Sequence, residues 1–120
     1  MKNDLKNRTK KFAIDCWTLC DKLPNSRGFN AYVNQLIRCS SSVGANYRAS
    51  QWAKSTADFI NKLKIVEEEV DESMYFLELL KVISKEYEGE IEVLHSEANE
   101  ILSIIVSSIN TARNRRKQNF

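Results

Sequence analysis

The apolar residues of this chain recur every three or four positions, the spacing that places side chains on one face of an α-helix. Four such stripes follow one another and are separated by short polar segments. The pattern predicts helices at about residues 4–22, 26–51, 56–86 and 90–115, with a frayed tail over 116–120. Connections this short make consecutive helices antiparallel neighbours. The expected fold is all-α, an up-down-up-down antiparallel four-helix bundle in a single domain over residues 1–120.

Capping residues and helix breakers support these predicted boundaries. Pro24 ends the first helix, and Asn25 or Ser26 can cap the second by accepting a hydrogen bond from its free amides. Ser55, followed three residues later by Asp58, resembles a capping box at the start of the third helix. We expect Gly89 to mark the junction between the third and fourth helices, either at the end of the third or at the start of the fourth.

The stripes also predict the core. The first helix is expected to bury Leu5, Thr9, Phe12, Cys16, Leu19 and Leu23, and the second Phe29, Val33, Leu36, Ser40, Val43 and Tyr47. The third is expected to bury Phe59, Leu63, Val66, Val70, Met74, Leu77 and Leu80. The fourth is expected to bury Ile91, Leu94, Ala98, Ile101 or Leu102, Ile105, Ile109 and Ala112. The third helix carries further apolar residues on its other faces, more than one core needs.

A run of small residues interrupts the bulky stripe of the second helix at positions 40–45. Serine, glycine and alanine side chains let another backbone come close. That backbone belongs either to a helix of the same chain or to a neighbouring subunit. The candidates for such close packing or for an oligomer interface are Ser40, Val43, Gly44, Tyr47 and Trp52.

Composition bounds the class of protein. Only three glycines and one proline occur among 120 residues, which favours helix. The three cysteines, Cys16, Cys20 and Cys39, are an odd number and suit free thiols in a reducing compartment. The N-terminus lacks a signal-peptide pattern, and no apolar run reaches the ~18 residues of a membrane span. We therefore expect a cytoplasmic protein with no membrane partner.

The formal net charge is only +2, but the predicted topology separates the charges. The start of the first helix, the turn between the second and third, and the end of the fourth share one end of the bundle. That end collects most of the lysines and arginines, with Asp4 and Asp58 as its only acids. Its candidate nucleic-acid-binding residues, called the basic pole below, are Lys10, Lys11, Arg48, Lys54, Arg113, Arg115, Arg116 and Lys117.

The basic pole has two interpretations. Cations there could neutralise the phosphates of RNA or DNA, and Tyr47 and Trp52 could stack on bases. Alternatively, the charges cover solvated helix faces and complement the dipole of the last helix, while both aromatics pack in the interior or at an interface.

Catalytic and metal-binding patterns are absent from the sequence. Glu92 and His95 have the spacing of one half of a di-iron site, but His95 is the only histidine, and such sites need two pairs. Cys16 and Cys20 with His95 lack an obvious fourth zinc ligand. A serine nucleophile would need a base, and the histidine lies at the other end from the serines at 40–42. We expect no catalytic residues, no metal and no cofactor.

Several motifs resemble a known family. They are Leu23-Pro24, Gln35-Leu36-x-Arg38, and residues 42–46, 59–69 and 72–80. Together they look like the four-helix-bundle proteins named after 23S rRNA intervening sequences. Many members carry Ser-Ile-Pro-x-Asn-Ile-Ala-Glu-Gly at positions 42–50. Here Ser42 and Asn46 match, Gly44 replaces the proline, and Ala49-Ser50 replace the final Glu-Gly.

The resemblance implies a barrel-shaped homopentamer, related to the accessory protein of diversity-generating retroelements. It implies no enzymatic activity and no cofactor. For relatives it suggests association with RNA, DNA or a nucleic-acid-processing protein such as a reverse transcriptase. The favoured hypothesis is therefore a non-enzymatic, homo-oligomeric bundle that binds nucleic acid or a nucleoprotein through the basic pole. The alternative is a structural adaptor or protein-partner scaffold with no nucleic-acid role.

Overall fold

Four α-helices contain most of the residues that the computed structural model describes, which are residues 4–118. The helices are α1 (Leu5–Lys22), α2 (Arg27–Ser50), α3 (Thr56–Ile83) and α4 (Glu88–Gln118). A single 3₁₀ turn at Lys85–Tyr87 connects α3 to α4. The described part of the chain is all-α, as the apolar periodicity predicts.

Each helix packs against the next in the chain, and α4 also packs against α1. Contacts between side chains give the direction of the helices. The ring of Tyr32 in α2 packs against that of Phe76 in α3, with ring centroids 6.0 Å apart. Further along α2, Cys39 contacts Ser73, which precedes Phe76 in α3. Sequential helices are therefore antiparallel. As a result α1 begins and α4 ends at the same end of the molecule, beside the α2–α3 turn.

The starts of α2 and α3 are capped by serine. Ser26 Oγ accepts a hydrogen bond from the Phe29 amide at 3.3 Å, so Ser26 is the cap of α2. Ser55 Oγ accepts one from the Asp58 amide at 3.0 Å, which confirms the cap predicted there. The Asp58 carboxylate reaches back to the amide of Lys54, one residue before the cap.

The junction between α3 and α4 differs from the prediction. Helix α3 ends at Ile83 rather than near 86, because Ser84 leaves the helical conformation with φ −135° and ψ 74°. Of the two places predicted for Gly89, the structure shows the start of α4. It lies in the first turn of α4, where a β-carbon would meet no atom within 4 Å. Glycine is tolerated at such an exposed position, and the serine with its 3₁₀ turn ends α3 instead.

The C-terminal prediction is also corrected. Helix α4 continues through Gln118 instead of fraying from residue 116. Its last turn contains Arg115, Arg116 and Lys117, and cations at a helix C-terminus stabilise it through the helix dipole. Positions 119–120 of the predicted tail lie outside the described residues.

The core joins the four helices along their length. The stripes predicted for α1 and α4 are buried throughout, with Ile101 rather than Leu102 facing inward. In α3, Ile60 and Ser73 are buried, whereas the predicted Phe59 and Met74 are only partly so. Ser73 is accommodated because its hydroxyl donates to the Glu69 carbonyl at 2.8 Å and lies 3.3 Å from Cys39 Sγ.

The stripe predicted for α2 is buried only in its middle. Phe29, Val33 and Tyr47 are partly buried, whereas Cys39 and Ser50 enter the interior. The ends of α2 therefore present aromatic side chains at the margin of the core.

Candidate nucleic-acid interface

The turn between α2 and α3 has a backbone fixed by local hydrogen bonds. The amides of Gln51, Trp52 and Ala53 donate to the carbonyls of Arg48, Ala49 and Ser50 at 3.1, 3.1 and 3.2 Å. The Lys54 amide then donates to Asp58 Oδ2 at 3.1 Å. Because consecutive amides have partners, the backbone of the turn has a defined conformation.

Trp52 projects from this turn into solvent. It is 85% exposed, more than any other large apolar side chain in the described part of the chain. Arg48, one helical turn earlier, and Lys54, two residues later, are also exposed. An exposed indole close in sequence to two exposed cations can offer a flat apolar face and positive charge on the same turn.

The end of α4 supplies most of the other cations. All residues from 113 to 118 are exposed. No salt bridge to another residue of the range 4–118 is formed by the four cations of this segment, Arg113, Arg115, Arg116 and Lys117. The side chains therefore remain free to bind an external anion.

Two adjoining depressions connect the end of α4 with the α2–α3 turn. One, of about 420 Å³, is lined by Lys54, Arg115, Phe59, Ala112 and the neighbouring residues Ser50, Gln51, Ala53, Ser55 and Thr56. The other, of about 460 Å³, reaches further between the helices and shares Arg115 and Phe59 with the first. It is also lined by Tyr47, Gln51, Ser107, Ser108 and Thr111. Burial raises the pKa of Tyr47, so its phenol stays neutral and can donate a hydrogen bond.

The α1 portion of the predicted pole is different. Lys11 Nζ lies 2.6 Å from Asp15 Oδ2, and this hydrogen bond raises the pKa of the lysine. Lys10 is exposed and forms no salt bridge with any described residue. Arg8, near the start of α1, contacts two carboxylates, Glu97 at 2.7 Å and Glu100 at 3.2 Å.

These contacts correct the predicted charge separation. Only Asp4 and Asp58 were expected among these cations, but the carboxylates of Asp15, Glu97 and Glu100 also contact them. The reason is the register of α4 along α1, which brings α4 carboxylates beside the first turns of α1. Within the pole, the cations without carboxylate partners are concentrated at the α2–α3 turn and the end of α4.

The close-packing candidates lie in three environments. Ser40 and Val43 are buried, and a β-carbon on Gly44 would lie 3.2 Å from Thr9 Oγ1, so the small residues of α2 pack against α1 of the same chain. Tyr47 lines the deeper depression, and Trp52 is exposed.

The remaining reactive side chains are engaged in packing or in ion pairs. Cys16, Cys20 and Cys39 are free, buried thiols. Burial raises the pKa of all three, that of Cys20 to about 12. His95 Nε2 lies 2.8 Å from Glu78 Oε2 across the α3–α4 seam. In residues 4–118, no three side chains of the metal-binding types converge on one point.

Sequence reasoning missed the anionic partners of Arg8 and the hydroxyl-rich wall of the deeper depression. Ser107, Ser108 and Thr111 follow the 3–4 spacing of one α4 face, so this periodic signal was available. The positions of Glu97 and Glu100 opposite Arg8 depend on the axial register of two helices distant in sequence.

These features define an all-α protein of four sequentially antiparallel helices with a cationic end. The chain belongs to the 23S rRNA-intervening sequence protein family, whose sequence profile matches residues 1–107. It is similar to a crystal structure from Bacteroides thetaiotaomicron VPI-5482, a protein with unknown function from the S23 ribosomal protein family. The TM-score is 0.80 and the identity 33%, over 88% of this chain and 97% of that chain.

The chain matches no protein with a curated description. Among residues 4–118, none of the helices has the length and apolar character needed to cross a membrane.

Proposed function

We propose that the protein is a non-enzymatic, homo-oligomeric four-helix bundle that binds nucleic acid, alone or in a nucleoprotein, through its basic pole. The observation that carries this proposal is the group of exposed cations at the α2–α3 turn and the end of α4, which have no carboxylate partner among residues 4–118. Unpaired surface cations release counterions when they bind phosphates, which favours association at low salt.

Exposed apolar side chains support self-association. Within the described residues, eight large apolar side chains are at least 41% exposed: Ile14, Trp17, Trp52, Ile65, Tyr75, Val82, Ile83 and Val93. Ile14 and Trp17, three positions apart on α1, share one helix face, and neighbouring apolar side chains of this kind mark interaction sites on soluble proteins. The family resemblance makes a pentamer the expected assembly. A closed cyclic ring aligns its subunits and places the basic poles on one rim, where their fields add.

The test is fluorescence anisotropy with labelled oligonucleotides across a salt series. In the test variant, Arg115 and Arg116 are both changed to glutamate. In the matched control, Arg27 and Lys85, two exposed cations at the opposite end of the molecule, are changed to glutamate. We expect the first pair to weaken binding strongly and to reduce its salt dependence, and the control to have little effect. Salt-independent binding, or none at low ionic strength, would contradict the proposal.

The second candidate function, a scaffold for a protein partner, is favoured by a different surface. Val82 and Val93 are 68% and 69% exposed near the α3–α4 junction, away from the basic pole. A protein partner that stays bound after nuclease digestion, and to the Arg115→Glu, Arg116→Glu variant, would favour this candidate. Light scattering measures the mass under both hypotheses, and a monomer would remove the argument from the shared rim.

A further inference from the structure

We infer that the basic pole selects unpaired nucleotides over duplex, and that Trp52 is the residue on which a base stacks. This inference rests on the proposed function and names its ligand class, single-stranded nucleic acid. The juxtaposition that carries it is an exposed indole on a turn with a hydrogen-bonded backbone, four positions after Arg48 and two before Lys54, where Lys54 and Arg115 line the same depression.

The exposure of Trp52 is unusual for a tryptophan and suits a contact with another molecule. Tryptophan normally buries most of its large apolar surface, yet 85% of this side chain remains in water. No aromatic ring of the described residues stacks on it. Its backbone amide is nevertheless held by Ala49, so the position is set by local structure.

The chemistry of the neighbouring side chains fits one nucleotide better than a helix of paired bases. In single-stranded nucleic acid each base offers an open face for stacking, whereas duplex bases are already stacked on one another. Phosphates on either side of a stacked base would meet Arg48 and Lys54. A duplex would meet the same cations but would leave the indole unused.

The adjoining depressions extend this surface. Phe59 and Tyr47 line the deeper one with the side chains of Gln51, Ser108 and Thr111, and Arg115 borders both. Aromatic walls with amide and hydroxyl groups can receive a second base and hydrogen-bond its edge. The site therefore has a stacking position on the turn and a recess behind it, both bordered by arginine or lysine.

The sequence provides an internal control, since it contains only two tryptophans. Trp17 is also exposed, by 56%, but lies twelve positions beyond Leu5 along α1. Leu5 lines the deeper depression, so Trp17 is roughly 18 Å further along the helix. The Trp17→Phe variant therefore has Trp52 as its only tryptophan, and the Trp52→Phe variant has Trp17 as its only tryptophan. Tryptophan emission then reports on one position at a time.

The experiment titrates the full chain with oligothymidylate and oligouridylate of about 15 nucleotides, and with a duplex of similar length, at low salt. We expect both single strands to quench the emission of the Trp17→Phe protein and to leave that of the Trp52→Phe protein unchanged. The affinity for single strands should fall by about tenfold in Trp52→Ala, because the stacking surface is lost. Trp52→Phe keeps an aromatic ring and should bind nearly as well as wild type, and Trp17→Ala should bind with unchanged affinity. Comparing uridylate with thymidylate distinguishes RNA from DNA as the preferred source.

The outcomes separate this inference from the proposed function. If Trp52→Ala binds like wild type while Arg115→Glu, Arg116→Glu does not, the stacking role is wrong and the electrostatic proposal stands. If no oligonucleotide binds at low salt, both are wrong. If Trp52→Ala changes only the oligomeric mass, Trp52 belongs to a subunit interface and the inference is overturned.

Discussion

Gly44 of α2 lies so close to Thr9 of α1 that a β-carbon at position 44 would be 3.2 Å from the threonine hydroxyl oxygen. Thr9 is fully buried, and its hydroxyl donates to the Lys6 carbonyl at 3.1 Å. The hydroxyl therefore cannot move into solvent to make room. The separation of α1 and α2 at this level depends on the absence of a side chain at position 44.

Replacing Gly44 with leucine should lower the free energy of unfolding by about 1–3 kcal/mol, because the added side chain must push α1 away from α2. Gly28→Ala and Gly89→Ala are matched controls, since a β-carbon at either position meets no atom within 4 Å. Both should be neutral or more stable by up to about 1 kcal/mol, because alanine favours helix over glycine. Urea denaturation measures all three, and an unchanged Gly44→Leu midpoint would contradict the packing argument.

Replacing Arg8 with methionine should lower the free energy of unfolding by about 1 kcal/mol at low salt, because Glu97 loses both of its hydrogen bonds from the guanidinium. The hydrogen bond to Glu97 is also the main reason that the pKa of Arg8 is raised. The difference should shrink at about 1 M salt, where exposed ion pairs are screened. Lys10→Met is the control and should change stability little. A salt-independent loss would instead indicate that Arg8 stabilises through the packing of its aliphatic stem.

The Asp58 carboxylate should make stability depend on pH in the acid range. Its hydrogen bond with Lys62, followed by that with the Lys54 amide, lowers its pKa below the ordinary value of 3.8. A carboxyl whose pKa is lower in the folded chain stabilises it above pH 3.8, and this contribution is lost as the pH falls through the lowered value. The difference in melting temperature between wild type and Asp58→Asn should therefore be present at neutral pH and close below pH 3.8. A difference of the same size above and below pH 3.8 would contradict this role of the Asp58 carboxylate.

The buried thiols should make the protein less stable in alkali. Burial raises the pKa of Cys16 and Cys20 well above the ordinary 9.0, so the folded chain keeps protons that the unfolded chain releases. The free energy of unfolding is unaffected below pH 9.0 and should fall above it, by at most about 1.4 kcal/mol per pH unit for each thiol. Cys16→Ala should be less stable at pH 7 but decline less steeply between pH 9 and 10. Equal slopes for variant and wild type in urea titrations would show that Cys16 ionises in the folded protein.

The sequence predicts the helices well where one apolar stripe dominates. In α1, positions such as Phe12 and Leu19 leave only one face that can be buried, and the structure buries it. Helix α3 carries apolar residues on several faces, so periodicity alone could not choose Ile60 and Ser73 over Phe59 and Met74. The choice depends on how α3 is rotated against α2 and α4, which tertiary packing determines.

The candidate interface was predictable only in part, because the sequence gives the order of the helices but not how they are positioned against one another. Connectivity alone brings Lys54 and Arg115 to one end of the molecule. The pairing of Arg8 with Glu97 requires the axial register of α1 and α4, which local sequence does not contain. The exposure of Trp52 depends on where α2 ends, since one further helical turn would redirect its side chain.

Because α1 begins and α4 ends at the same end of the molecule, an affinity tag on either terminus would be attached beside the basic pole. An acidic tag would compete there with an oligonucleotide, and a bulky fusion partner would obstruct it. Tag-free protein is therefore the right material for measuring affinity. A fluorophore for distance measurements is better attached at the turn joining α1 and α2, at the opposite end.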